Sequence, residues 1–149
     1  MKLFLLDNNV LSELWKPQPD PAVLAWIEAA EWFVPVPIIA EIQEGAEADP
    51  SATRCAQINA RLDEFVRSHG ALILDWDAET ARTWGRLRHS PEVKRQPQPL
   101  WDSLIDAMAV RYSAVIATRN AKDFRHAETF SPWNFVPGGS ARPPRQPAA

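Results

Sequence analysis

The chain has 149 residues, of which 46% are hydrophobic and 23% are charged. This balance favours one globular domain that buries about two-thirds of its extended surface, and it excludes global disorder, collagen-like repeats and a coiled coil. No apolar run approaches the roughly 18 residues of a membrane span, and Asp7 ends the first apolar run too early for a signal peptide. The single cysteine, Cys55, excludes an intrachain disulfide and a cysteine-rich zinc site, so we expect a cytoplasmic protein.

Charge is distributed unevenly along the chain. Residues 1–80 carry 5 basic and 14 acidic side chains, a net −9, and residues 81–149 carry 11 basic and 5 acidic side chains, a net +6. Such a chain can gather carboxylates around a metal ion and present a basic face to phosphates. Alternatively, folding mixes the two halves into a neutral surface.

The first third of the chain predicts two strand–helix units. The apolar run Lys2–Leu6 indicates a buried strand, and the polar residues 7–9 that end it favour the start of a helix. A second helix is expected from Asp20 or Pro21. A second strand over 32–36 contains Pro35, which suggests a sheet edge or a bulge, and Pro37 is placed to begin the next helix.

The rest of the chain repeats this alternation. We predict a helix over 52–68 that is capped by Gly70, a strand over 71–74, and a helix over 77–89 with Ala81, Trp84 and Leu87 facing inward. A loop over 90–99 follows, and then a helix over 100–112 and a strand over 114–117. The last predicted elements are a helical turn over 122–124 and one more short strand within 128–135. We expect residues 1–135 to form one domain and the Pro/Gly/Arg-rich residues 136–149 to form a flexible tail.

Strands that alternate with helices predict an α/β fold, in which helices cover a mostly parallel sheet of four or five strands. Ligands bind such sheets beyond the carboxyl ends of the strands. That rule draws attention to a set of polar residues at strand ends or helix starts. The set comprises Asp7, Glu41, Asp102, Thr118, Arg119, Asn120 and Asp123.

Each acid in this set is unremarkable by itself, because a carboxylate at a helix start commonly caps the helix. Several carboxylates in one crevice repel each other and raise each other's pKa, and a divalent cation relieves that repulsion. Mg²⁺ binds one or two carboxylates, waters and a phosphate. Together the acids therefore indicate metal-assisted phosphodiester hydrolysis.

The order of these segments resembles the PIN-domain nucleases, and within them the VapC and FitB-like toxins of toxin–antitoxin pairs. The resemblance rests on five segments: Leu5–Glu13, Ile38–Gly45, Asp102–Ala109, Ile116–Phe124 and Ser131–Trp133. It implies the PIN-like three-layer sandwich with a central sheet.

The resemblance also implies roles for individual residues. Asp7, Glu41 and Asp102 match the acids that bind Mg²⁺ or Mn²⁺, with Asp7 and Asp102 as direct ligands. Asn120 stands where some relatives have a fourth acid, and Asp123 is the alternative for that place. The remaining candidates support the site or contact substrate: Asn9 and Ser12 hold Asp7, Asp106 is an extra acid one turn after Asp102, and Thr118 and Arg119 follow the fourth strand.

The implied activity is a metal-dependent endoribonuclease, the toxin of a pair whose small VapB/FitA-like antitoxin inhibits it. In the implied reaction a water attacks phosphorus in line while the cation stabilises the charged oxygens. The antitoxin would place a C-terminal segment with an Arg or Lys in the acidic crevice, and operator DNA would be bound only through the antitoxin. A homodimer is expected, with the apolar faces of residues 10–27 as its interface.

Two alternatives stay open. A PIN-fold regulatory subunit with weak or lost nuclease activity is consistent with Asn120. A phosphotransferase or phosphatase with Asp7 as nucleophile lacks both a second Asp two residues later and a Gly-rich phosphate loop. Finally, five cations between residues 82 and 95 can either follow an RNA backbone or form an ordinary solvated face. They are Arg82, Arg86, Arg88, Lys94 and Arg95.

Overall fold

A computed structural model of the chain describes residues 2–138. At its centre lies a five-stranded sheet in which every pairing is parallel and the strand order is β3-β2-β1-β4-β5. The strands are β1 (Phe4–Leu6), β2 (Trp32–Pro35), β3 (Ile73–Leu74), β4 (Val115–Ala117) and β5 (Thr129–Phe130). The expected α/β fold with a sheet of four or five strands is confirmed.

Seven α-helices flank the sheet within residues 2–138. They are α1 (Asn8–Leu14), α2 (Pro21–Ala29), α3 (Val36–Ala48), α4 (Ala52–His69), α5 (Ala78–Leu87), α6 (Pro91–Arg95) and α7 (Leu100–Arg111). Side chains that precede α2, α4, α5 and α6 accept backbone N–H groups of the first turn, which satisfies donors that a helix start leaves free. The helix positions therefore follow from local capping chemistry as well as from apolar spacing.

The core lies on both faces of the two central strands. Leu5, Leu6 and Ile116 are fully buried, as expected where helices cover a parallel sheet on both sides. From the helices, Trp26 packs edge-on against Phe4 with ring centroids 5.1 Å apart. Within the described residues, no helix has the length and apolar character needed to span a membrane.

Pro35 differs from its predicted place. It is not at a sheet edge, because β2 lies between β1 and β3. It is not in a bulge either, since its pairing with Leu74 continues the pairing of Val34 with Ile73 without an extra residue. Pro35 is the last residue of the strand, pairs with Leu74 and directly precedes α3. Proline has no backbone N–H, and Pro35 places this missing donor at the position where the strand ends and the helix begins.

The segment predicted as a loop over 90–99 contains α6. The Ser90 hydroxyl accepts the Val93 N–H and Pro91 occupies the first turn, an arrangement typical of a helix start. Gly70 does follow the last residue of α4, but its φ of −55° keeps the chain right-handed. A short 3₁₀ turn over Gly70–Leu72 follows, so the third strand begins only at Ile73.

The inward face of α5 is also different from the prediction. Ala81 is exposed, whereas Thr80 and Thr83 are buried. Their hydroxyls donate within the helix, Thr80 to the Asp77 carboxylate at 2.7 Å and Thr83 to the Glu79 carbonyl at 2.9 Å. A satisfied hydroxyl can be buried at little cost.

Two further expectations concern the dimer interface and the C-terminal tail. The apolar faces of residues 10–27 serve mainly the chain's own core, since Val10, Leu11, Val23 and Trp26 are buried and Leu24 is the exposed large hydrophobic residue of this segment. Leu14, Trp15 and Ile27 are only partly buried, and the homodimer interface expected on this segment stays a prediction. Most of the predicted tail, residues 139–149, lies outside the described residues.

Candidate active site

The topology brings polar residues to the carboxyl edge of the sheet. β1 leads directly to Asp7, and β4 leads directly to Thr118. β2 leads into α3, which carries Glu41, and Asp102 lies in the first turn of α7. Because β1 is flanked by β2 and β4, the ends of all three strands meet around Asp7.

Asp7 is held by a short network of hydrogen bonds. One carboxylate oxygen accepts the backbone N–H of Asn8 at 2.7 Å, and the other accepts the Thr118 hydroxyl at 2.7 Å and the Asn9 amide at 3.3 Å. The Asn9 amide also donates to the Thr118 hydroxyl at 3.1 Å. Asp7 is 7% exposed, and burial raises its pKa, against the opposing effect of the Thr118 and Asn8 hydrogen bonds. Thr118 therefore fixes the orientation of Asp7.

Glu41 stands beside Asp7 on α3. Its pKa is raised, first by partial burial and then by the charges of Asp7 and Glu44, while a hydrogen bond from the Asn8 side chain opposes the shift. Asn8 is in turn held by Ser12, whose hydroxyl donates to the Asn8 side-chain oxygen at 2.7 Å. Ser12 thus supports Asn8, and not Asp7 as we expected.

Asp102 completes the group of acids. Its pKa is raised to about 7, first by burial and then by the charges of Asp123, Asp7 and Glu41. Arg125 opposes this shift. Asp102 therefore lies within electrostatic reach of three other carboxylates. These four acids, Asp7, Glu41, Asp102 and Asp123, are called the acidic cluster below.

Asn120 and Asp123 were alternatives for the fourth acidic position. The Asp123 charge acts on both Asp7 and Asp102. Asn120 is exposed, and its observed contact with the site is a backbone N–H that donates to the Thr118 hydroxyl at 3.0 Å. The geometry therefore favours Asp123 as the fourth member.

Arg119 faces away from this cluster. Its guanidinium lies over the Trp133 ring, 4.8 Å from the centroid, and its charge helps to keep the pKa of Glu13 low, behind the larger effect of Lys16. Asp7 and Asp102 receive no such effect from Arg119. In this arrangement Arg119 is available to a ligand only at the rim of the site.

Asp106 is buried, with 1% of its surface exposed, and it serves the chain that follows the acidic cluster. Its carboxylate accepts the backbone N–H groups of Arg125, His126 and Ala127 at 3.0, 3.1 and 2.8 Å. Gln98 donates to the same carboxylate at 3.2 Å. Asp106 thereby fixes the segment that connects Asp123 to β5.

Several residues that support the site could not be predicted from the sequence. Gln98 also donates to the Asp123 carbonyl at 2.9 Å, so it links α6 and α7 to the turn that carries this acid. Ser103, next to Asp102, accepts the Trp84 indole N–H at 3.0 Å. These partners are 19 to 25 residues apart, a separation at which no local pattern reveals contact.

Comparisons with known proteins agree with this architecture. The family model for the PIN domain matches residues 4–129, a stretch that contains the whole acidic cluster. The VapC ribonuclease Y4jK of Sinorhizobium fredii is 31% identical over 137 residues, which cover 88% of this chain and 98% of that protein. The chain is a member of the PIN-domain family.

Other members of the family extend this picture. Toxin FitB of Neisseria gonorrhoeae is 26% identical over 89% of this chain and 99% of its own length. The crystal structure of FitAcB from the same species superposes with a TM-score of 0.72 at 26% identity, over 89% of this chain and 99% of that chain. The resemblance to PIN domains and to VapC and FitB proteins is thus confirmed along most of the chain.

The donor chemistry of this PIN domain fits a hard divalent cation. Carboxylate oxygens are the ligands that Mg²⁺ prefers, and mutual repulsion among them is what a bound cation relieves. Across residues 2–138, no three His, Cys, Asp or Glu side chains are already gathered closely enough to enclose one ion. A cation here would accordingly be bound by few protein oxygens, as is usual for Mg²⁺.

Proposed function

We propose that this PIN-domain protein is the toxin of a toxin–antitoxin pair and acts as a Mg²⁺-dependent endoribonuclease, with Mn²⁺ as a substitute. The observation that carries the proposal is the acidic cluster, in which burial and then the repulsion of three neighbours raise the pKa of Asp102 to about 7. Such perturbed pKa values are concentrated at functional sites. The names of the two curated relatives, a ribonuclease and a toxin, support the same proposal.

In this proposal Asp7 and Asp102 hold the cation directly, and Glu41 holds it through water or orients the attacking water. When bound, the cation activates water and stabilises the negative charge that develops on the phosphate oxygens. Thr118 and Asn9 keep the Asp7 carboxylate in one orientation. Asp123 completes the negative charge of the site, and Asn120 cannot accept a proton as a base would.

The partners follow from the same proposal. A small antitoxin of the VapB/FitA kind would block the acidic cluster with an Arg or Lys from its C-terminal segment, because a cation is the group that this cluster lacks. Operator DNA would be bound through the antitoxin alone. We keep the homodimer, with the apolar faces of residues 10–27 as its interface, as part of the proposal.

The test is cleavage of structured RNAs, tRNA included, by purified protein in Mg²⁺, in Mn²⁺ and in EDTA. Asp7→Asn and Asp102→Asn should each abolish metal-dependent cutting, and the exposed Asp63→Asn on α4 should leave it unchanged. Cutting that survives both site variants would contradict the proposal. Absence of cutting by folded, antitoxin-free protein would favour the alternative, a PIN-fold regulatory subunit.

A further inference from the structure

Four exposed cations on α5 and α6 have no acidic partner. They are Arg82, Arg86, Lys94 and Arg95. No carboxylate of residues 2–138 lies within ion-pair distance of any of them, whereas five cations elsewhere are paired: Lys2, Lys16, Arg54, Arg67 and Arg111. Unpaired charges that share one region create a positive potential that attracts polyanions.

This region is basic by composition as well. Residues 82–95 carry five basic side chains and one acidic side chain, a net +4. The acid is Glu92, whose carboxylate lies 3.6 Å from the ring of His126. The pKa of Glu92 is lowered, first by a backbone hydrogen bond and to a smaller extent by the charge of Arg95, so this acid offsets part of one cation's charge and leaves the segment positive.

Arg88, the fifth cation of the segment, has a different role. Its guanidinium donates to the Gln98 carbonyl at 3.1 Å and lies 5.8 Å from the centroid of the Trp84 ring. Arg88 thus joins α5 to the chain that precedes α7. Of the five candidate phosphate-binding cations in the sequence, four therefore remain.

α5 is oriented so that its cations face solvent. Thr80 and Thr83 are buried against the rest of the domain. Arg82 and Arg86 are four residues apart and both exposed, and the Arg86 guanidinium also donates to the Thr83 hydroxyl at 3.4 Å. The Trp84 indole, which donates to Ser103 next to Asp102, fixes this helix to the helix that carries part of the acidic cluster.

α6 is fixed to the other side of the site. The Ser90 hydroxyl contacts one ring nitrogen of His126 at 2.9 Å, and the second ring nitrogen lies 3.2 Å from the Asp106 carboxylate. Arg125 donates to the Gln96 carbonyl at 3.0 Å. The helix that carries Lys94 and Arg95 is therefore bound to the segment that directly follows Asp123.

From these contacts we infer that Arg82, Arg86, Lys94 and Arg95, the α5–α6 basic surface, bind the phosphate backbone of RNA beside the acidic cluster. The inference rests on the proposed function, since it assigns the substrate of that site a docking surface. RNA is a better candidate than an acidic protein for the ligand of this surface. In the proposed function the acidic cluster must hold a phosphodiester chain, and the negative charge of the cluster repels that chain. The two helices are hydrogen-bonded to segments that carry or follow acids of that site, so their cations can hold the phosphates of an RNA that extends away from it.

Binding is measured with the full chain carrying Asp7→Asn, which prevents cutting, and a fluorescently labelled tRNA at several salt concentrations. Replacing all four cations by alanine should weaken binding by about tenfold or more at low salt. The slope of log Kd against log salt should fall by about 0.7 for each lost contact, close to 3 in total. A matched control replaces Arg61 and Arg67, two exposed cations of α4, and should change neither quantity.

Cutting by protein with an intact Asp7 separates the two proposals. If the fourfold variant binds tRNA as tightly as its parent while metal-dependent cutting persists, the basic surface is wrong and the nuclease stands. If the parent neither binds nor cuts RNA, both proposals fail. Should the fourfold variant instead lose only its binding to an acidic protein partner, the surface belongs to that partner and the inference is overturned.

Discussion

Asp102 and Asp106 lie one turn apart on α7, yet their carboxylates have opposite surroundings. Three other carboxylates surround Asp102, and their charges help to raise its pKa to about 7. Asp106 instead accepts three consecutive backbone N–H groups from residues 125–127. The ionised form of Asp102 is therefore unfavourable in the folded state, whereas the hydrogen bonds of Asp106 hold the segment that follows Asp123.

Asp106→Asn should destabilise the protein. The amide keeps one acceptor oxygen, and its NH₂ group faces N–H donors that it cannot accept. We expect a loss of about 3 kcal/mol in the free energy of unfolding, measured by urea denaturation. Asp63→Asn, on the exposed face of α4, is the control and should stay within about 0.5 kcal/mol of the parent. A neutral effect of Asp106→Asn would contradict the structural role of this carboxylate.

Asp102→Asn should have the opposite effect in metal-free protein. The pKa of Asp102 in the folded state, about 7, lies above the ordinary value of 3.8, so between these two pH values the folded state binds more protons than the unfolded state and loses stability as the pH rises. Asparagine removes this penalty. After allowance for partial exposure, we expect a gain of about 1–2 kcal/mol at pH 8, shrinking toward pH 5.

This comparison is made by urea denaturation in EDTA at both pH values. A gain of equal size at pH 5 and pH 8 would mean that titration of Asp102 is not its cause. A loss at pH 8 would contradict the repulsion within the acidic cluster.

The role of Asp102 could be predicted from the sequence more readily than that of Asp106. Asp7 follows a strand end, Glu41 lies on the helix that follows β2, and Asp102 lies in the first turn of a helix. The topology brings these positions together, so the proximity of the three acids could be predicted. The partners of Asp106 are backbone amides 19 to 21 residues further on. Backbone donors carry no sequence signature, so its structural role could not be predicted.

Charge patterns in the sequence were informative for cations and not for acids. The acidic cluster takes Asp7 and Glu41 from the acidic half of the chain, and Asp102 and Asp123 from the basic half. The unpaired cations, in contrast, come from one short segment, because α5 and α6 are adjacent in sequence and contain few acids. A short run of like charges stays together in the folded protein when adjacent helices carry it. The net charges of the two halves of the chain do not stay separate, because folding brings acids from both halves to one site.

Mg²⁺ should stabilise the parent protein and not the Asp7→Asn variant. Binding to the folded state alone raises the free energy of unfolding by about 1.4 kcal/mol when the free ion exceeds its Kd tenfold. The measurement is thermal unfolding across a Mg²⁺ titration, with Asp63→Asn as the variant that keeps the response. An equal response in Asp7→Asn would place the bound ion elsewhere on the protein.

Thr118→Val should affect both stability and the pH dependence of activity. It removes the hydrogen bond to Asp7 and leaves the Asn9 amide and the Asn120 N–H without their shared acceptor, a loss of about 1–3 kcal/mol. Because the Thr118 bond lowers the pKa of Asp7, its loss should move the acidic limb of the activity profile to higher pH. Thr118→Ser retains the hydroxyl and should keep the parent profile, and a shift as large as that of Thr118→Val would mean that the hydroxyl does not set the pKa of Asp7.

The fourth position of the site is tested by comparing Asp123→Asn with Asn120→Ala. Asp123 is the neighbouring charge with the largest effect on Asp102, so its removal should lower the pKa of Asp102 and reduce metal-dependent cleavage by about 10- to 100-fold. Asn120→Ala keeps the backbone N–H that reaches Thr118 and should change cleavage less than about threefold. Cleavage of tRNA at saturating Mg²⁺ measures both. The reverse order of effects would return the fourth role to the Asn120 side chain, with its amide oxygen as the acting group.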